Sequence, residues 1–282
     1  MITIKSVSEM QQWAISARSS NKTIAFVPTM GFLHQGHLSL LEEGRKRGDL
    51  LVLSIFVNPT QFGQGEDFEE YPRDLQQDSE MALKAGVDVI FAPDANAMYP
   101  QGYATYVDVE GITNTLCGAS RPGHFRGVCT VVSKLFNIVQ PHTAIFGAKD
   151  FQQLAVIKQM TADMNMAIDI IGMPIFREVD GLAMSSRNVN LDSTQRLQAL
   201  VLSQSLKLAR QLVAGGETSA DVIIADIKAL IVTKPAAQVD YLQICHQLTL
   251  VDQTQVDTDS VLLLAVRFGT TRLIDNGFLR DN

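Results

Sequence analysis

Short β-branched apolar runs alternate with helix-length amphipathic stretches as far as Phe176. The glycine- and histidine-bearing turns follow the strand runs, and the pattern changes beyond Phe176. These three observations predict an α/β fold for the 282-residue chain. The expected architecture is a Rossmann-like parallel sheet with helices on both faces over residues 1–176, followed by a smaller C-terminal α+β domain over residues 177–282.

The elements follow in order. Thr23-Ile24-Ala25-Phe26-Val27 is short, apolar and β-branched, and reads as a buried strand ended by Pro28. From Gly36 to Arg47 the period becomes helical, with Leu38, Leu41 and Arg45 near one face and Glu42 and Glu43 on another. Further strands are expected at Leu50–Val57, Val87–Ala92, Thr143–Phe146 and Ala167–Gly172. Helices over Phe68–Ala85 and Phe151–Met164 lie between them, which makes βαβ units. After the connector Arg177-Glu178-Val179-Asp180-Gly181 come two helical stretches, Ser193–Ala214 and Ser219–Val232. Short strands are then expected at Val239–Ile244, Val261–Val266 and Thr271–Ile274. A small domain in this place is expected to serve as a lid.

Composition narrows the function. A formal net charge of −7 argues against a general nucleic-acid or anionic-membrane binder. No apolar run approaches the ~18 residues of a membrane span, and Met1-Ile2-Thr3-Ile4-Lys5 lacks the apolar core of a signal peptide. Cys117, Cys129 and Cys245 are odd in number and unclustered, so a reducing, cytoplasmic setting is expected.

Parallel sheets bind ligands beyond the carboxyl ends of their strands. Three motifs fall there: Pro28-Thr29-Met30-Gly31-Phe32-Leu33-His34-Gln35-Gly36-His37, Asn58-Pro59-Thr60-Gln61-Phe62, and Gly147-Ala148-Lys149-Asp150. One cleft is expected to collect them. In the first motif a helix begins directly after a strand, so unpaired N–H groups and the positive end of the helix dipole face the ligand. Two imidazoles add donors, and Gly31 and Gly36 allow backbone to approach closely, a combination suited to a polyphosphate. The bland readings are a pair of surface histidines at a helix start, or a metal pair. A metal would need further ligands, and His124, His142 and His246 lack ligand spacing. Gly63-Gln64-Gly65-Glu66-Asp67-Phe68 begins like a dinucleotide fingerprint, but Phe68 replaces the third glycine. Gly118 to Gly123 has P-loop spacing, yet His124-Phe125 follows in place of Lys and Ser or Thr, so neither NAD nor a Walker-type ATPase is supported.

His34-x-Gly36-His37 within its block resembles the HxGH signature of the adenylate-forming nucleotidyltransferase superfamily, which class I aminoacyl-tRNA synthetases share. Further blocks are Ser54-Ile55-Phe56-Val57-Asn58-Pro59-x-Gln61-Phe62, Tyr71-Pro72-Arg73, Arg121-Pro122-Gly123-His124-Phe125-Arg126-Gly127-Val128, Phe146-Gly147-x-Lys149-Asp150-x-Gln152-Gln153-Leu154, and Asp180-Gly181-Leu182-Ala183-Met184-Ser185-Ser186-Arg187-Asn188. In this order, across nearly the whole chain, they resemble the pantoate–β-alanine ligase family.

The resemblance implies that ATP and D-pantoate form a pantoyl-adenylate, which β-alanine converts to pantothenate with release of AMP. Pyrophosphate leaves in the first step, Mg²⁺ accompanies ATP, and the chain is a homodimer. It implies catalytic roles for His37, His34 and Lys149. ATP contacts are implied for Met30, Gly31, Phe32, Leu33, His34, Gln35, Gly36, His37, Gly147, Ala148, Lys149, Asp150, Phe176, Met184, Ser185, Ser186 and Arg187. Gln61 and Gln153 are implied for pantoate, with Asn58 supporting the same pocket. Asp74 and Asp78 are candidates for indirect Mg²⁺ contact. The chain departs from the family pattern at Ala148, where a glutamate is common, and at Val189-Asn190-Leu191, where an aromatic often precedes leucine. The alternatives are another HxGH nucleotidyltransferase acting on a phosphorylated metabolite, which would keep the nucleotide in its product, and a non-enzymatic nucleotide-binding module.

Overall fold

The computed structural model describes residues 1–280. The strands are β1 (Ile2–Ile4), β2 (Ile24–Thr29), β3 (Leu50–Ile55), β4 (Val89–Phe91), β5 (Thr143–Gly147), β6 (Asp169–Met173), β7 (Ala237–His246), β8 (Ser260–Phe268) and β9 (Thr271–Phe278). The helices are α1 (Val7–Ser19), α2 (Gln35–Arg47), α3 (Leu75–Lys84), α4 (Ala95–Met98), α5 (Leu116–Ser120), α6 (His124–Val139), α7 (Phe151–Asp163), α8 (Ser193–Gln198), α9 (Val201–Ala214) and α10 (Ala220–Val232). Two compact units result. The first takes Met1–Thr113, Cys117–Ala148 and Gln153–Pro174, and the second takes Asn114–Leu116, Lys149–Gln152 and the chain from Ile175 on. No helix among the described residues is long and apolar enough to cross a membrane.

The first unit is built on a six-stranded sheet in the order β1-β4-β3-β2-β5-β6, with every pair parallel. From β2 the chain steps outward through β3 and β4, then returns to the other side of β2 for β5 and β6. The carboxyl ends of β2 and β5 therefore flank the point where the winding reverses, the place in an open α/β sheet where a crevice forms. Central strands are buried on both faces and accordingly read as continuous apolar runs. On one face Ala25, Val27, Leu51, Leu53, Ile90 and Ile145 pack with Leu40 and Leu41 of α2 and Ala82 of α3. On the other, Phe26 meets Phe136 of α6 edge to face, with ring centroids 6.5 Å apart.

Several sequence expectations shift. Pro28 does not end β2, which pairs with β3 as far as Thr29–Ile55. Its missing N–H is tolerated because β5 pairs with β2 only at Ala25 and Phe26. The helix expected over Phe68–Ala85 is confined to Leu75–Lys84. Pro72 disfavours helix at Tyr71, and the Asp74 side chain caps the helix by accepting from the Gln77 N–H at 2.9 Å. Helix α6 is hard to read from sequence because Arg121-Pro122-Gly123 resembles a loop and Gly127 weakens the helical signal. A Cβ at Gly127 would lie 2.3 Å from the Thr60 carbonyl oxygen, so glycine is what lets α6 touch the turn after β3.

In the second unit β7, β8 and β9 form an antiparallel sheet in sequence order. Its inner face packs on α9 and α10 through Leu206, Ala209, Ile223, Ile227, Leu262, Leu264 and Val266. The expected helix over Ser193–Ala214 is two helices, the first opened by a reciprocal cap between Asp192 and Gln195.

Candidate nucleotide and substrate site

The turn between β2 and α2 is fixed from beneath. Thr29 donates through its hydroxyl to the Ser54 carbonyl at 2.8 Å and accepts from the Gly31 N–H at 3.2 Å. Gly31 (φ +82°) and Phe32 (φ +52°) then occupy left-handed backbone, which costs little at glycine and more at phenylalanine. The Asp78 carboxylate, from α3, holds that geometry. Oδ2 accepts from the Phe32 N–H at 2.9 Å and Oδ1 from the Leu33 N–H at 2.7 Å. Asp78 is 1% exposed, and burial raises its pKa against the opposing pull of those two amide bonds. A Cβ on Gly31 would sit 2.8 Å from Asp78 Oδ2.

His34 is the N-cap of α2, and Gln35, Gly36 and His37 form its first turn. No acidic residue lies in that turn, while Arg45, Lys46 and Arg47 sit in the last, where cations match the helix dipole. The two imidazoles stack with centroids 4.0 Å apart. The His34 backbone N–H donates to His37 Nδ1 at 3.3 Å, so a neutral His37 ring carries its proton on Nε2.

Of the candidate carboxylates for indirect magnesium contact, Asp74 caps α3 through Oδ1, and Asp78 accepts the Phe32 and Leu33 amides through its two oxygens. The described residues contain no cluster of three His, Cys, Asp or Glu able to hold a metal.

After β3, a single 3-10 turn, Pro59–Gln61, presents the amides. Asn58 is 1% exposed. Its Oδ1 accepts from Tyr99 Oη at 2.7 Å and from Thr60 Oγ1 at 2.9 Å, which leaves Nδ2 to donate to Gln61 Oε1 at 3.0 Å and to the Gly127 carbonyl at 3.2 Å. Burial pushes the Tyr99 phenol up to about 12, so it stays a donor. With its oxygen thus occupied, the Gln61 amide presents its NH₂ group, 3.3 Å from Met30 Sδ. A second chain grips the Gln61 backbone: Glu66 receives Arg121 at 2.7 and 2.5 Å, and Arg121 Nη1 lies 3.1 Å from His124 Nε2. His124 Nδ1 in turn lies 2.8 Å from the Gln61 carbonyl. With Nε2 accepting from arginine, Nδ1 donates. Burial pushes the Glu66 carboxyl up, but the Arg121 bonds outweigh it and hold the group below its ordinary range.

Met30, Asn58 and Gln61 are thus brought together. Gln153 is half-buried on α7, and no hydrogen bond joins it to that group among the described residues. Gly147 ends β5, and just beyond it the Ala148 N–H donates to the Met173 carbonyl at 2.8 Å.

The remaining candidates belong to the second unit. Lys149 is half-buried and Asp150 exposed at the start of α7. Phe176 and Met184 close a short hairpin, the Met184 N–H donating to the Phe176 carbonyl at 2.9 Å. Ser185 then caps the 3-10 turn Ser186–Asn190 that carries Arg187. Sequence reasoning missed Asp78 as a support, Tyr99, and the Glu66–Arg121–His124 chain. Only the Arg121–Val128 block pointed toward any of these.

Asp78→Asn places an NH₂ group against a backbone N–H and leaves a buried donor unmatched. It is expected to cost about 1–3 kcal/mol in thermal or urea unfolding and to lower turnover through the displaced turn. Wild-type stability together with wild-type turnover would show that the carboxylate does not hold the histidine turn.

Comparison with known proteins gives one answer. The family model described as pantoate-beta-alanine ligase matches residues 2–278. Pantothenate synthetase of Geobacter sulfurreducens is 58% identical over 281 residues, covering 100% of this chain and 99% of that protein. That of Syntrophotalea carbinolica is 56% identical over 281 residues with the same coverage. Among solved structures, pantothenate synthetase from Thermus thermophilus superposes with a TM-score of 0.94 at 43% identity over 100% of both chains. A pantoate-beta-alanine ligase from Francisella tularensis, complexed with beta-gamma ATP and beta-alanine, gives 0.83 at 34% identity over 100% of this chain and 99% of that one. A full-length family match, relatives above half identity and a shared fold in both units lead to one assignment: the chain belongs to the pantoate-beta-alanine ligase family.

Proposed function

We propose that the chain is an ATP-dependent ligase that condenses D-pantoate with β-alanine through a pantoyl-adenylate, releasing AMP and pyrophosphate. The observation that carries this reading is the stacked His34–His37 pair at the α2 amino end, in a chain that matches a ligase family from end to end. The relative solved with beta-gamma ATP and beta-alanine supports ATP and the amine as substrates.

A carboxylate resists attack by an amine because oxide is a poor leaving group, and joining its oxygen to AMP supplies a good one. The chain must therefore first stabilise charge growing at the α-phosphate and then present the amine to the acyl carbon. Preorganised donors and positioning dominate both steps. His37 Nε2–H and the α2 amides meet the phosphates, with His34 beside them. Lys149 adds a point charge, and Ser185, Ser186 and Arg187 add hydroxyls and a guanidinium. The Gln61 NH₂ takes a pantoate oxygen, and Gln153 assists on the same substrate. Magnesium enters as MgATP, carried by phosphate oxygens with few protein ligands.

Residues 177–282 act as a lid over the nucleotide, and the working form is a cytoplasmic homodimer. Another HxGH nucleotidyltransferase would keep the nucleotide in its product, and the ligase relatives give that alternative no support. Mass spectrometry of products from MgATP, pantoate and β-alanine tests the reading. Pantothenate with stoichiometric AMP is expected, and a nucleotidylated product or ADP would overturn it.

A further inference from the structure

We infer that the β9 pair Asp275-Asn276 positions both pieces of the second unit assigned to the ATP phosphates, Lys149 and Met184–Arg187. The inference rests on that assignment. Neighbouring residues on a strand point to opposite faces, so one strand can address two loops at once.

On one side, Asn276 Nδ2 donates to the Lys149 carbonyl at 2.9 Å. Asn276 is 6% exposed, so water competes little for that carbonyl, and the bond spans 127 residues of sequence. It fixes the backbone from which the Lys149 ammonium extends.

On the other side, the Asp275 side chain is 0% exposed and receives Arg177 through both terminal nitrogens, at 2.7 and 2.8 Å. Its Oδ1 also accepts the Asn276 N–H at 2.8 Å. The same Arg177 donates to the Gly181 carbonyl at 3.0 Å, inside the turn of the Phe176–Met184 hairpin. Gly181 has φ +96°, which suits glycine and closes that turn, and the Glu178 N–H bonds the Leu182 carbonyl at 2.8 Å. The hairpin runs directly into Ser185-Ser186-Arg187, and Asn188 folds back to Glu178 Oε1 at 2.7 Å and to the Ala183 carbonyl at 3.2 Å.

A planar, two-pronged arginine–carboxylate pair fixes direction as well as distance. A buried ion pair is weak evidence for stability, because well-packed apolar residues often serve a core as well. Here its geometric consequence is the orientation of the hairpin. Asp275 and Asn276 are positioning residues that act through Arg177 and the Lys149 backbone.

Asn276→Leu removes the donor at similar volume, Asn276→Ala removes it with less bulk, and Asp275→Asn removes the charge. Melting temperature, and KM for MgATP and for pantoate in pantoate-dependent pyrophosphate–ATP exchange, are measured for each. KM for MgATP is expected to rise about tenfold, the worth of one buried hydrogen bond, while KM for pantoate stays within about twofold of wild type. A purely structural role would lower the melting temperature and leave both KM values in place, and that result overturns the inference. Lys149→Ala is measured alongside. If it weakens MgATP while folded Asn276 variants do not, the inference fails alone; if it leaves MgATP untouched, the phosphate assignment fails and the inference with it. Should every variant misfold, wild-type amide exchange decides. Saturating MgATP should slow exchange over 149–152, 176–188 and 275–276 together, and protection of only one segment overturns the coupling.

Discussion

His37→Ala is expected to fold and to lose about 10²- to 10³-fold in turnover, the usual cost of removing one preorganised donor to a developing charge. Folding should survive because His37 is half-buried in the first turn of α2 and lies outside the apolar cluster that fixes that helix through Leu40 and Leu41. Its Nδ1 accepts the His34 N–H, a cap-like bond worth about 1 kcal/mol. Two further substitutions separate that bond from the chemistry. Asn places an acceptor near the Nδ1 position and nothing near Nε2, so His37→Asn should recover the stability lost in alanine and remain as inactive. Gln can place an amide N–H near the Nε2 position, so His37→Gln should retain more activity than either. Thermal unfolding and steady-state rates of the three proteins decide the matter. A folded His37→Ala enzyme turning over like wild type would remove this residue from the mechanism.

What the sequence made legible depended on the range of the contact. Strands β2, β3 and β5 were readable because burial on both faces demands unbroken apolar runs, and such runs are visible locally. The His34–His37 turn was readable for a similar reason: the glycines, the imidazoles and the helix start all lie within one short segment. Asp78 was not, because its partner Leu33 is 45 residues away and an aspartate in the first turn of an amphipathic helix looks like dipole compensation. Its two amide bonds, to Phe32 and Leu33, join a helix to a turn, and no local pattern announces such a contact. Lys149 was readable as a cation after a strand, but the Asn276 grip on its carbonyl was not. Asn58 was marked from the family resemblance as support for the pantoate pocket, but its bond to Gln61 and the Tyr99 hydroxyl that orients it were not legible, the tyrosine coming from a segment with no motif at all.

Labelled pyrophosphate is expected to enter ATP in the presence of pantoate and without β-alanine, and Lys149→Ala should slow that exchange. The order follows from leaving-group chemistry: the amine has nothing to displace until the carboxylate oxygen is bonded to AMP, so adenylation must come first. The division of residues agrees. His34, His37, Lys149 and Arg187 are assigned to the triphosphate, and Gln61 can hold pantoate before any amine arrives, because its amide is oriented by Asn58 whether or not ligand is present. A rapid quench should therefore trap bound pantoyl-adenylate with only the first two substrates added. Removing the Lys149 ammonium should suppress exchange by an order of magnitude or more, since a charge-assisted contact to phosphate is worth about 1.5–3 kcal/mol. Its effect should be the same with and without β-alanine, because the residue serves a step that precedes the amine. If exchange requires β-alanine, adenylation is not a separate first step; if ADP and phosphate appear in place of AMP and pyrophosphate, activation proceeds through an acyl phosphate and the histidine turn serves a different transfer.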